Sequence, residues 1–91
     1  MKPLFTLGHV VATPGALAAL EKAGQQPGDF LSRHVTGDWG EVPPDDIKEN
    51  EFSLKQGFQL LSAYRTSAGD KIWVITEADR SSTCILLPEE Y

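Results

Sequence analysis

The 91-residue chain has one cysteine, one methionine and no apolar run approaching the roughly 20 residues a bilayer span needs. A lone Cys84 cannot close an internal disulfide, which fits a reducing compartment. The basic-then-apolar opening of a secretory signal is also missing, so a soluble, cytoplasmic protein is expected. No phosphate-cradling glycine loop or nucleophile elbow occurs, and Gly8, Gly15 and Gly24 are too scattered to form one. His9, His34, Asp38 and Cys84 do not fall at metal-ligand spacing. Neither a cofactor nor a metal is expected.

A basic stripe is lacking too. Thirteen acids face eight bases, and the window Asp38–Glu51 holds six of those acids (Asp38, Glu41, Asp45, Asp46, Glu49, Glu51) against Lys48 alone. The other seven acids and seven bases cancel, so the whole net charge of −5 sits in that window. Nothing in the linear sequence neutralises a phosphate backbone, which argues against direct DNA binding. Carboxylates of this kind are favoured at a helix start. They also suit a surface that steers toward a basic protein partner.

The elements that are present read as a single α+β domain over residues 1–91. A short apolar strand around Leu7 to Ala12 runs into Thr13-Pro14, an N-cap followed by a proline at the first helical position. The helix Pro14 to Ala23 turns Leu17 and Leu20 inward and ends at Gly24. A second helix, Phe30 to Val35 with Asp29 as cap, places His34 on an apolar stripe. The loop between Gly37 and Gly40 is anchored by Trp39, and Val42-Pro43-Pro44 opens a third helix that stops at Gly57. Ile47 and Leu54 share its inner face, with Asn50 and Glu51 interrupting.

Beyond Gly57 the period turns strand-like. Strands at Gln59–Thr66, Lys71–Glu77 and Thr83–Leu87, joined by Ser67–Asp70 and Ala78–Ser82, predict an antiparallel meander of three to four strands packed under the helices. Ile72, Val74 and Thr76 should face one way, Trp73 and Ile75 the other. Apolar residues on both faces call for a second cover, and an exposed second face would pair two copies as a homodimer.

Among ionisable groups His34 stands out, either as a hydrogen-bonded core histidine or as a general acid or base. Arg80, in a turn dense with Glu77, Asp79 and serines, is either turn chemistry or a fork for an anion. Cys84 lies in a strand and is expected to be buried and unreactive.

Two blocks, RHVTGDWGEVPPDD from Arg33 to Asp46 and KIWVITEADRSSTCILLPEEY from Lys71 to Tyr91, resemble a family of short bacterial proteins carried on plasmids and integrated elements. The resemblance spans most of the chain and implies a bacterial, cytoplasmic, mobile-element origin. It brings no activity and no functional residues.

Two functions from different classes follow. The preferred one is a small interaction or regulatory protein that engages a protein partner through Asp38, Glu41, Asp45, Asp46 and Glu49. The alternative is a ribonuclease-like toxin in which His34 acts as acid or base, Arg65 and Arg80 stabilise phosphate, and Tyr64 or Thr76 touches substrate.

Overall fold

The computed structural model describes residues 2–91. In chain order the elements are β1 (His9–Ala12), α1 (Pro14–Ala23), α2 (Pro27–Val35), α3 (Pro44–Gln56), β2 (Leu60–Arg65), β3 (Lys71–Thr76), β4 (Ser82–Leu86) and a closing 3₁₀ turn, Pro88–Glu90. The class is α+β, with three helices and one four-stranded sheet in the order β1-β4-β3-β2.

The sheet departs from a pure antiparallel meander. β2, β3 and β4 form the expected meander, but β1 joins it parallel to β4, His9 opposite Ser82 and Ala12 opposite Ile85. The reason is that a three-stranded meander leaves the β4 backbone unpaired on its outer side. The apolar β1, returning beside it before α1 crosses over the sheet, satisfies those groups. Gly8 makes the entry, with φ +64 and its Cα so close to the carbonyls of Arg80 and Ser81 that a Cβ would overlap them.

The inner face of the sheet carries Tyr64, Ile72, Val74 and Ile85, which pack with Ala16 and Leu20 of α1 and Phe30 of α2. Thr13 caps α1 as expected, accepting from the Ala16 amide. The carboxylate of Glu90, from the other end of the chain, reaches the same corner and accepts from Thr13 Oγ1 and the Gly15 amide. Leu17 does not turn inward. It is half exposed, and α1 instead seats on the sheet through the small Ala16 and Ala19 with Leu20, which lets the backbones approach closely.

A second cluster joins Trp39, Val42, Leu60 and Ala63 with Ile47 and Leu54 of α3. Asn50 interrupts the inner face of α3 for a purpose. Its side-chain amide donates to the Leu61 carbonyl (2.7 Å) and its oxygen accepts from the Leu61 amide (3.1 Å), so it pairs with the outer edge of β2 as another strand would. One residue pair further on, Ala63 is held by the Trp39 carbonyl and the Glu41 amide. Gly40, at φ +76, permits that approach, since a Cβ there would overlap the Ala63 carbonyl.

Candidate functional site

α2 presents Phe30 and His34 to the sheet, one turn apart on its inner stripe. His34 lands between the strands with no exposed surface. Its Nδ1 meets Ser62 Oγ and its Nε2 lies 2.9 Å from Thr76 Oγ1. Thr76 continues to Thr83 Oγ1 at 2.8 Å, and Thr83 donates to the Leu7 carbonyl at 2.7 Å.

A carbonyl only accepts, so this end fixes the protons from Thr83 back to His34 Nε2. Thr83 donates to Leu7 and must accept from Thr76. Thr76 in turn accepts from His34 Nε2–H, which leaves Nδ1 to accept from Ser62. The row therefore requires a proton on Nε2, and in the neutral ring Nδ1 is the acceptor. Burial, and secondarily the positive charge of Arg80, lowers its pKa to about 4. Phe5 and Trp39 set their rings edge-on against it, with centroids at 5.2 and 5.7 Å. At neutral pH the ring neither carries charge nor meets solvent.

Arg80 has its side chain taken up by backbone carbonyls. Its guanidinium donates to the carbonyls of Phe58 (2.7 Å), Ser53 (2.9 Å), Glu77 and Ala78 (both 3.1 Å), tying the C-terminal end of α3 to the β3–β4 turn. Its own backbone sits at φ +62, the one non-glycine residue in the left-handed region among those described. Arg65 lies elsewhere. It pairs with Lys71 at the start of β3 and forms an exposed ion pair with Glu41 at 3.3 Å. Arg80 follows the far end of β3, so the backbones carrying the two guanidiniums stand at opposite ends of a strand about 17 Å long at about 3.4 Å per residue. Tyr64 is buried, its hydroxyl donating to the Asp38 carbonyl at 2.6 Å, and burial pushes its pKa up to about 12. Thr76 is consumed in the polar row. The residues of the ribonuclease-like reading thus do not meet in a cleft.

The five acids of the interaction reading divide into two groups. Asp38 accepts from Arg33 Nε at 2.7 Å, a bond that holds its carboxyl below the ordinary range, and Glu41 is tied to Arg65. Asp45, Asp46 and Glu49 have no ion pair among the described residues and stand exposed on the outer side of α3. Asp45, Lys48, Glu49 and Phe52 line a shallow groove of about 290 Å³. Phe52 is 53% exposed and stacks on the equally exposed Phe58, with ring centroids 5.8 Å apart at 17°. A larger cleft of about 340 Å³ lies between α1 and the C-terminal segment, bordered by Lys22, Asp70, Lys71 and Glu89. Neither depression contains His34 or Arg80.

Cys84 is half-buried rather than enclosed, on the outer sheet face, and its pKa is raised by burial and by Glu90 and Glu77. That leaves a thiol, not a thiolate, at neutral pH. Sequence reasoning missed the hydroxyls of Ser62 and Thr83, the Asn50 bracket and the carbonyl binding of Arg80. One signal for the first was legible, since a hydroxyl recurs on each of three neighbouring strands at a position of the inner face. No family model, curated protein or solved structure matches the chain.

Proposed function

We propose that the protein is a small bacterial cytoplasmic interaction protein, and that the outer face of α3 is its binding surface for a basic protein segment bearing apolar side chains. The observation that carries this reading is the stacked, exposed Phe52–Phe58 pair beside the unpaired carboxylates Asp45 and Glu49. Asp45, Glu49 and Phe52 follow at spacings of four and three, which aligns them along one stripe of the helix. Aromatic pairs with half their surface in water are poorly accounted for by the fold itself, and partly buried aromatics anchor binding surfaces. The carboxylates supply long-range attraction and orientation, the rings supply burial on contact. The likeness of Arg33–Asp46 and Lys71–Tyr91 to plasmid-borne proteins supports reading this role as one carried by a mobile element. No comparable feature favours the ribonuclease-like reading, whose histidine is sealed and whose arginines are apart.

Site-specific photo-crosslinking in bacterial cells tests the reading. A photoreactive phenylalanine in place of Phe52 should give an adduct of defined mass that one in place of Leu17, exposed on α1, does not give. The purified partner should then bind the wild type in a salt-dependent manner, and Asp45→Lys with Glu49→Lys should lower its association rate at least tenfold. Identical adducts from the two positions, or binding indifferent to the double reversal, would remove α3 as the surface.

A further inference from the structure

The sheet has two edges and they are finished differently. At β2 the outward backbone groups of Leu61 are taken by the Asn50 side chain and those of Ala63 by Trp39 and Glu41. At β1 the odd-numbered residues face β4, as His9 N donating to Ser81 O and Thr13 N donating to Ile85 O show, both at 2.9 Å. The N–H and C=O groups of Val10 and Ala12 consequently point away from the sheet, and among the described residues no backbone or side-chain group meets them. β1 carries none of the devices that blunt an edge, having no lysine, proline or bulge within His9–Ala12. Val10 and Val11 are 39% and 42% exposed.

We infer that β1 is the seam of a homodimer, in which it pairs antiparallel with β1 of a second copy about a twofold axis through Val11 to give one continuous eight-stranded sheet. The strand is self-complementary in this register. Val10 faces Ala12 of the other copy, each such pair exchanges two N–H···O bonds, and the axis generates both pairs, four bonds in all. Val11 meets its own equivalent as the close, non-hydrogen-bonded pair on the axis. The apolar row Leu61–Ile75–Cys84–Val11, which crosses all four strands of one copy, continues into the next.

Charge selects this edge and this occupant. β1 carries no Lys, Arg, Asp or Glu, whereas the acidic window adjoins the opposite edge through Glu41 and α3. Two copies of net charge −5 meeting through β2 or α3 would oppose their carboxylates, while meeting through β1 keeps them at the two far ends of the assembly. The register also brings His9 opposite the other copy's Thr13, whose hydroxyl holds the Glu90 carboxylate, so an imidazole N–H donor faces an acceptor on both sides of the axis. A four-residue strand gives a small interface, and the dimer is a concentration-dependent one.

Sedimentation equilibrium and disulfide trapping of the full chain test this together. The wild type should pass from 10.0 kDa toward twice that mass between micromolar and millimolar concentration, and Val10→Lys should remain monomeric with an unchanged circular dichroism spectrum. In a Cys84→Ser background, Val11→Cys should cross-link quantitatively under mild oxidant, because on-axis Cα atoms in such a pair lie roughly 4.5 Å apart. Val10→Cys should cross-link no better than Leu17→Cys, because its equivalents lie about 8 Å apart, beyond the roughly 7 Å limit of a disulfide. A wild type that stays monomeric to millimolar concentration overturns the inference. So does a dimer in which Val11→Cys fails to cross-link, since the copies would then meet at another surface.

Discussion

The row Ser62–His34–Thr76–Thr83 and the outer face of α3 hold the protein's most conspicuous polar chemistry, and they are built on opposite terms. In the row every donor has an acceptor, every group is buried, and no buried side-chain nitrogen or oxygen among the described residues lacks a partner. On the α3 face the carboxylates have no ion pair among the described residues, and Phe52 and Phe58 are half exposed to water. A histidine with perfect partners is part of the architecture, because anything that entered to use it would first have to break those bonds. Groups left without partners remain free for a second molecule. The row should therefore dominate stability and leave binding untouched, and the α3 face should do the reverse.

The largest effect expected is that of His34→Ala. It opens a cavity, leaves the Ser62 hydroxyl without its acceptor and takes from Thr76 its donor, for a loss of roughly 3–5 kcal/mol in urea unfolding. That is a large share of a small domain's stability. A loss below about 1 kcal/mol would show the row to be loosely held and reopen the question of access.

Acidification should act on the same group more gradually. His34 is lowered to about 4 in the fold from an ordinary 6.5. Between those values the unfolded chain binds a proton that the folded one does not, so stability is complete above pH 6.5 and falls as the pH drops toward 4, by up to about 3 kcal/mol. Urea midpoints at pH 7 and pH 5 read the slope. The His34 ring resonances should still report a neutral imidazole at pH 5, and protonation near 6.5 would contradict the burial argument.

Asn50→Ala removes two hydrogen bonds and bares Leu61, for about 1–2 kcal/mol by thermal or urea unfolding. The smallest effect belongs to the other region. Glu49→Lys and Phe52→Ser should each change stability by no more than about 0.5 kcal/mol, because neither side chain is enclosed. A loss above about 1.5 kcal/mol from either would mean that the α3 face serves the fold and would dissolve the contrast.

Local signals were the legible ones. Thr13-Pro14 and Gly24 bound α1 at the expected residues, Gly57 stops α3, and the inner alternation of Ile72, Val74 and Thr76 holds. These depend on neighbours within a turn or two. Leu17 was misplaced because helical period says which residues share a face, and α1 chose the alanine face beside it for close approach. The parallel pairing of β1 with β4 links residues more than 70 apart, and a four-residue strand has no pattern that names its partner. For the candidate site, the acidic window was visible but its internal division was not. Only the fold shows Arg33 and Arg65 taking up Asp38 and Glu41, leaving the α3 carboxylates unmatched.

The parallel pairing of the first strand with the last also governs when the chain can finish folding. Residues 9–12 are synthesised more than 70 residues ahead of their partners at 82–85, and Glu90 follows those partners to latch the corner at Thr13. Closing so long a loop carries the largest chain-entropy cost of the strand pairings in this sheet. The helices and the β2–β3 hairpin can organise while residues 82–86 are still to be made, with β1 unpaired until then. Until residues 82–85 emerge, β1 and the free side of β3 both stay unpaired, so any pause in synthesis before that point holds a species with two unsatisfied strands.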